Sequence, residues 1–500
     1  MKYLKLITTI FFVLSQFSCE DDFLNTTDPT RIDSKLFYQT QTQFEQALNG
    51  IYGQLQNITN SAYLGQEFIS DNTTIDIDIA NRGGAVGWEA FEFSTVNQGN
   101  GEINSLWVNH YSTIYNINFA LEKLAKASFD PTAIGVIEGQ LKFLRAFHYF
   151  NLTRYFGDVV LITKTLSKPE EAFDLLRVSQ ADVYKQIELD LNDAAKVLPT
   201  TFPANQRGRI TKGAALTLLG KVYLTRKNYA GAETVLKEVT TLGYSLNNDY
   251  KDNFDPTKKN GPESIFEVQY QGGNDLGENS NFAYIFSPRL SGAAITGFAN
   301  TTPQGRNIPT DDLISAYEAS DLRKDISLKT SYVSAGRTIQ IPYIVKYTYA
   351  HTITGRTDNN WPVLRYSDAL LMLAEAINEV GGRIDEATGL VNRVRKRAGL
   401  ANLGVLTKDG LRVAIFKERR IELAFENHRW FDLQREYTPS QLATFMNAHG
   451  NREKAKPTVA RPGLAFNNLD YVFNDFEYLF PIPAPQILIN AKLTQNDGYK

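Results

Sequence analysis

Cysteine is almost absent from this chain, which has one such residue, Cys19, in a length of 500. A single thiol cannot form a disulfide within the chain, and it cannot supply the several thiolates of a cysteine-ligated metal site. The fold must therefore be held by burial of apolar surface. A hydrophobic content of 43% over this length is sufficient for a large core, and disorder is not expected.

The start of the chain also lacks an apolar segment long enough to span a membrane. The apolar run at residues 6–14 is too short for a bilayer, which needs about 20 such residues. The run follows Lys2 and Lys5 and precedes Cys19, an order typical of a cleaved bacterial lipoprotein signal. We therefore expect residues 1–18 to be a signal peptide and Cys19 to carry the lipid. The alternative is an ordinary secretory signal followed by a chance cysteine.

Neither sign of charge is in clear excess. Fifty-two basic and fifty-five acidic residues leave a formal charge of −3, which gives no long-range attraction to nucleic acid. Nucleic acid is therefore not an expected partner.

Common catalytic motifs are missing as well. The chain has no His-Glu-x-x-His, Gly-x-Ser-x-Gly or Gly-x-x-x-x-Gly-Lys, and its five histidines lack metal-ligand spacing. Asp76 and Asp78 could form a glycosidase pair, but carboxylates two residues apart on a strand lie side by side and do not flank a bond. They are better candidates for the polar face of a strand, calcium or sugar hydroxyls. We expect no cofactor and no catalytic metal.

Helical periodicity dominates what is present. Apolar residues recur at threes and fours over residues 34–56, 103–127, 134–156, 179–198 and 408–433. Residues 211–242 and 366–397 match the spacing of tetratricopeptide helix pairs, which bury their faces by stacking. A mainly α, tetratricopeptide-like scaffold is therefore predicted at about 34–248 and 361–500.

Two stretches, about 58–104 and 249–360, interrupt this scaffold. They are rich in Asn, Gly and scattered aromatics, with short alternating runs at 264–270 and 338–345 that predict strands. Long irregular segments in a compact domain are usually functional or disordered.

Four segments, in order along the chain, resemble the SusD/RagB family of surface lipoproteins. They are Leu-Arg-Ala-Phe-His-Tyr-Phe at 144–150 with Tyr-Phe-Gly-Asp at 155–158, Leu-Arg-Tyr-Ser-Asp-Ala-Leu-Leu-Met-Leu-Ala-Glu-Ala at 364–376, Glu-Arg-Arg-Ile-Glu-Leu-Ala-Phe-Glu-Asn-His-Arg-Trp-Phe-Asp-Leu at 418–433, and Phe-Pro-Ile-Pro at 480–483 with Gln-Asn-Asp-Gly-Tyr at 495–499.

The resemblance implies a SusD-like domain over residues 19–500 that is exposed at the surface of the outer membrane. It implies a binding protein without catalysis, which delivers oligo- or polysaccharide to a SusC-like TonB-dependent transporter. It also implies that the two irregular insertions, about 58–104 and 249–360, carry the ligand. The motif segments are then fold signatures, in which Arg145, Glu375, Arg420 and Trp430 form internal ion pairs and packing. A peptide-capturing member of the family, a glycosidase and a purely structural adaptor are the alternatives.

Candidate ligand contacts come from residue type and region, because no motif fixes them. A sugar ring lies with its C–H face on an aromatic plane, while polar side chains meet its hydroxyls. The first insertion offers Trp88 with Arg82, Asp76 and Asp78, and the second offers Tyr284, Phe286 and Arg289. Trp88 is the strongest candidate; its alternative is a loop tryptophan buried in the core.

Overall fold

A computed structural model describes residues 37–79 and 87–499. In the first part of the scaffold, each helix packs mainly on helices that are near it in sequence. Polar caps begin several of them: the side chains of Thr40, Asn100, Ser179 and Thr211 accept first-turn backbone N–H groups. The helices are α1 (Gln41–Tyr63), α2 (Glu89–Glu92), α3 (Gly101–Leu124), α4 (Pro131–Phe156), α5 (Gln180–Val197), α6 (Lys212–Thr225) and α7 (Tyr229–Val239).

The middle of the chain has only short helices: α8 (Phe282–Phe286), α9 (Ala293–Thr296), α10 (Asp311–Ala316) and α11 (Lys324–Ser327). Longer helices return as α12 (Tyr366–Val380), α13 (Ile384–Arg397), α14 (Lys408–Glu422), α15 (Arg429–Glu436) and α16 (Pro439–Ala455), and the short α17 (Ala484–Ile489) lies in the tail. No helix in the described residues combines the length and apolar composition that crossing a membrane requires.

Strands are short and pair only in twos within the described ranges, all antiparallel: β1 with β5, β2 with β3, β4 with β10, β6 with β9 and β7 with β8. They are β1 (Thr73–Thr74), β2 (Val159–Val160), β3 (Arg177–Val178), β4 (Ser264–Val268), β5 (Ile308–Pro309), β6 (Leu328–Lys329), β7 (Tyr332–Ser334), β8 (Arg337–Ile339), β9 (Tyr343–Ile344) and β10 (Trp361–Arg365).

The predicted mainly α, repeat-like architecture is confirmed. α4 packs on α5, α5 on α6, α6 on α7, α7 on α12, and α12 on α13 and α14. Close approach of α6 and α7 depends on a small residue, because a Cβ added at Gly220 would lie 2.6 Å from Leu236 Cγ. The helix pairs thus stack into one continuous core.

Several predicted boundaries are wrong. α1 begins at Gln41 and runs past residue 58 to Tyr63, so the first irregular stretch starts later. The helical scaffold predicted from about residue 361 begins with a strand: residues 361–365 form β10, which pairs with β4, and α12 starts at Tyr366. The helix expected at 408–433 breaks after Glu422, where Phe425 and Asn427 have φ near +65°. α16 was missed, although Thr438 and Gln441 form a capping box before it.

Buried or partly buried ion pairs fasten the motif segments, as predicted. Arg145 donates to Asp190 at 2.7 and 2.8 Å, Glu375 pairs with Arg435, and Arg420 pairs with Asp71 and Asp312. Trp430 is 1% exposed. These side chains therefore serve the fold.

The densest of these ionic clusters centres on Glu422 at the end of α14. Its carboxylate accepts hydrogen bonds from Arg323 at 3.0 Å, Arg365 at 3.0 Å and Arg397 at 2.5 Å. Glu422 is fully buried, and the three arginines come from the loop before α11, from β10 and from α13. The cluster ties one irregular insertion to the helical scaffold.

Candidate functional site

The two irregular insertions meet at one surface. β1 pairs with β5, and the Asp76 backbone N–H donates to the Gly305 carbonyl at 2.7 Å. Residues 304–306 also bond to another part of the second insertion: the backbone N–H groups of Gln304 and Arg306 donate to the carbonyls of Tyr284 and Ile285. We call residues 76–79, 284–306 and 349–352 the loop face.

Asp76 is an anchor of the loop face. Its carboxylate is fully buried and accepts from Arg461 Nε at 2.8 Å, from an Arg461 terminal nitrogen at 2.7 Å and from the Arg289 backbone N–H at 2.8 Å. Arginine therefore occupies the place that a sugar hydroxyl or a calcium ion would take. The prediction of Asp76 as a ligand contact is wrong.

Asp78 and Arg289 lie together at the edge of the loop face. An Arg289 terminal nitrogen donates to Asp78 Oδ2 at 2.6 Å, and both side chains are about one third or less exposed. The Asp76 and Asp78 carboxylates are thus each bound to an arginine, which is unlike two acids flanking a scissile bond. No group of three or more metal-ligating side chains occurs in residues 37–79 and 87–499.

Trp88 is packed into the core, 9% exposed. Its ring centroid lies 6.3 Å from that of Phe68, and the guanidinium of Arg306 covers it at 4.5 Å. Arg306 is held there by donating to the Tyr63 hydroxyl at 2.7 Å. The structure gives Trp88 the packing role that was its alternative interpretation, so the predicted sugar contact is corrected.

Phe286 is also a core residue, 1% exposed and in contact with Tyr63 and Tyr347 at ring-centroid distances of 5.2 and 6.0 Å. No part of its ring is left for a ligand, and the prediction for Phe286 is wrong. Arg82 and Cys19 lie outside the described residues.

An aromatic trio lies on the loop face: Tyr284, Phe298 and His351, which we call the aromatic platform. The rings of Phe298 and His351 lie 4.8 Å apart at 38°, and both residues are partly exposed. His351 Nδ1 lies 3.0 Å from the Tyr349 carbonyl, so that nitrogen carries the proton. Nε2 then accepts from the Tyr284 hydroxyl at 2.7 Å. Tyr284, itself mostly buried, thus fixes the orientation of the histidine.

The loop that presents Phe298 is tightly bonded. The Thr301 hydroxyl donates to the Phe298 carbonyl at 3.1 Å and lies 3.1 Å from the Thr296 hydroxyl. Gly297 ends α9 with φ +78°, a conformation that favours glycine. The exposed residue Asn300 lies two positions after the phenylalanine. The result is a supported ring with an amide group in the same loop.

Residue-type reasoning missed Phe298 and His351. Phe298 stands in a Gly-Phe-Ala-Asn-Thr-Thr stretch, a setting similar to that of Trp88, and His351 is one of the five histidines that lack metal-ligand spacing. Arg461, the partner of Asp76, was missed because it lies 385 residues away in sequence.

Glu92, the last residue of α2, has a buried carboxyl that is bonded to β1. The hydroxyls of Thr74 and Tyr471 donate to its Oε1 at 2.8 and 2.5 Å. Burial raises the pKa of Glu92 to about 8, although the two hydrogen bonds oppose the rise. The carboxyl is therefore protonated in the folded protein at neutral pH.

We expect Glu92→Gln to stabilise the protein increasingly as pH rises. A raised carboxyl pKa contributes stability that is complete below its unfolded value, near 4.5, and is lost as pH rises towards 8. Glutamine removes this loss, so its advantage should grow by up to about 1.4 kcal/mol per pH unit. Melting temperatures of both proteins at pH 5 and pH 8 measure it; a constant difference would contradict the assignment.

Comparisons with known proteins give a consistent result. The family model described as "SusD family" matches residues 326–499, and the model described as "Starch-binding associating with outer membrane" matches residues 22–224. SusD-like protein P2 of Formosa agariphila is 26% identical, with 99% of each chain covered. Starch-binding protein SusD of Bacteroides thetaiotaomicron is 25% identical over 72% of each chain.

Solved structures agree with the sequence comparisons. A laminarin-binding SusD-like protein is 27% identical, with a TM-score of 0.75 over 92% of this chain and all of that one. A SusD superfamily protein from Bacteroides vulgatus is 26% identical, with the same TM-score and the same coverage.

Proposed function

Because the chain belongs to the SusD family, we propose that it is a glycan-binding lipoprotein exposed at the surface of the outer membrane. It binds oligo- or polysaccharide without cleaving it and passes it to a SusC-like TonB-dependent transporter. The starch-binding and laminarin-binding proteins that it resembles support the ligand class.

The aromatic platform is the observation that carries this proposal. Sugar rings present C–H bonds on one face, and this apolar face packs on aromatic rings in the same way as other apolar groups. Phe298 offers a partly exposed ring, and His351 supports it from 4.8 Å away. We therefore place the glycan over Phe298 and His351.

Exposed polar groups on the loop face suit hydroxyl recognition. Asn300 and Gln304 are exposed and offer amide donors and acceptors, and the Arg289–Asp78 pair lies at the edge of the same face. A shallow surface of this kind contacts part of a chain and leaves its ends free. It is therefore suited to holding a polymer that a partner will take up.

The remaining parts of the proposal concern attachment and transfer. Lipid on Cys19 would hold the protein at the membrane, close to the transporter that receives the glycan. The helical scaffold would keep the loop face in a fixed shape, because its stacked helices share one core.

Affinity electrophoresis with a product assay tests the function. We expect the purified protein to be retarded in gels that contain laminarin or soluble starch, because at least one of these neutral glucans should occupy the aromatic platform. No new reducing ends should appear in the same polysaccharide after prolonged incubation. Release of reducing ends would support the glycosidase alternative, and retention of denatured casein instead of glycan would support the peptide-capturing one.

A further inference from the structure

A depression lies along the middle of α1, away from the end of the helix that contacts the loop face. It has a volume of about 700 Å³ and is bounded by α1, by the loop at residues 205–209 and by the end of β4 with the residues that follow it. We call it the α1 groove. Tyr63 in α1 contacts the loop-face residue Arg306. Gly53, in the wall of the groove, lies ten residues before Tyr63, so about 15 Å of helix separates the groove from this contact.

One face of α1 forms a wall of the groove. Asn49, Tyr52, Gly53 and Gln56 line it, at the spacing that places residues on one side of a helix. A Cβ added at Gly53 would meet no atom within 4 Å, so open space begins at the backbone. Glycine inside a helix is unfavourable by about 0.5–1 kcal/mol relative to alanine. No close contact with the core requires a glycine at position 53. Gly53 thus widens the groove at the expense of helix stability.

Tyr52 gives this wall a fixed aromatic ring. Its hydroxyl donates to Gln140 Oε1 at 2.8 Å and accepts from the Ile210 backbone N–H at 2.9 Å, and the residue is half-buried. Two hydrogen bonds therefore hold the ring before any ligand arrives.

Most of the other groups that line the groove are polar, beside the apolar Leu55, Pro256 and Val268, and the charged groups balance one another. Gln56 donates to the Gln269 carbonyl at 2.8 Å, and an Arg209 terminal nitrogen donates to Asn49 at 3.2 Å. Three cationic and three anionic side chains line the groove: Arg207, Arg209, Lys259, Glu267, Glu278 and Asp358. This lining matches a neutral ligand rich in hydroxyl groups.

A neighbouring groove of about 480 Å³ shares part of its wall with the α1 groove, because Arg207, Gly208 and Arg209 line both. Two adjoining grooves along one loop suit a chain better than a compact molecule.

We propose that the α1 groove is a second binding site for oligosaccharide, which takes a neutral segment of the same glycan that the loop face holds. This inference rests on the proposed function. Two sites on one chain raise the apparent affinity for a long polysaccharide, because binding at one site makes the other encounter intramolecular. Short oligosaccharides that reach only one site gain nothing from the second.

Filling the groove tests the inference. Gly53→Phe places a large side chain in the open space, and it should preserve folding because phenylalanine has a higher helix propensity than glycine. We expect about a hundredfold weaker apparent affinity for laminarin or starch, within the range that linked sites provide. Affinity of the loop face for laminaritriose or maltotriose should be unchanged.

Gly50→Phe is the matched control. Gly50 lies in the same helix, also has no atom within 4 Å of an added Cβ, and does not line the groove. It should bind as the wild type does. Equal affinity of Gly53→Phe and wild type for the long polysaccharide would overturn the second site and leave the proposed function standing. Failure of the wild type to bind either polysaccharide would overturn both.

Discussion

Replacing Glu422 with alanine is expected to destabilise the protein by about 3–5 kcal/mol, because it leaves buried arginines without their shared partner. The carboxylate accepts from Arg323, Arg365 and Arg397, which are 1%, 2% and 4% exposed. Burial alone would raise the pKa of Glu422, but the three guanidinium groups outweigh burial and hold it well below its usual range. Urea denaturation at neutral pH measures the loss.

Acid should reduce the difference in the free energy of unfolding between the wild type and Glu422→Ala. A lowered carboxyl pKa contributes stability above the unfolded value, near 4.5, and loses it as pH falls towards the folded value. The wild type therefore approaches the variant in stability below about pH 4.5.

Glu138→Ala is the control for Glu422→Ala. Glu138 pairs with Lys142 at 2.8 Å within α4, but its side chain is 44% exposed. Exposed pairs contribute about 0–1 kcal/mol, so this variant should unfold close to the wild type. If the two variants lost equal stability, Glu422 would not be the centre of the ionic cluster.

Replacing Phe298 with alanine is expected to weaken retardation by polysaccharide strongly, leaving at most the binding that the α1 groove provides alone. Loss of a stacked aromatic ring removes the main apolar contact of the proposed site, and a central aromatic contact contributes about 2 kcal/mol or more, equivalent to roughly thirtyfold in affinity. The melting temperature should change little, because Phe298 is partly exposed and the hydrogen bonds that hold its loop involve the backbone and the threonines.

Phe173→Ala is the matched variant for this test. Phe173 is 48% exposed in a 3₁₀ segment, Pro169–Asp174, that is not part of the loop face. Its removal should leave retardation unchanged. Weakened binding in both variants would indicate non-specific binding by exposed aromatic side chains. Intact binding in Phe298→Ala would show that the aromatic platform is not part of the site.

The helical scaffold could be predicted because its signals are local. Ser179 caps α5 as expected, and Gly381 and Gly382 separate α12 from α13 where the repeat spacing breaks. Periodicity and caps lie within one or two turns of the residues that they organise. β10 escaped this reasoning because its pairing with β4, nearly a hundred residues earlier, overrides a helix-like pattern.

The sequence indicates which regions form the loop face but not which of its side chains are accessible. The insertions do form one surface, yet the side chains that face outwards depend on contacts across the whole chain. Asp76 turns inwards because Arg461 binds it, and Trp88 is covered because Tyr63 holds Arg306 above its ring. Residue type alone could not separate Trp88, which packs, from Phe298, which remains accessible.

A crystal structure with a bound oligosaccharide tests the central claim most directly. The protein should be crystallised with laminarihexaose or maltohexaose, chosen by which parent polysaccharide retards it. We predict an intact oligosaccharide with a sugar ring over Phe298 and His351. A shortened product, or oligosaccharide bound elsewhere with the aromatic platform empty, would contradict the account.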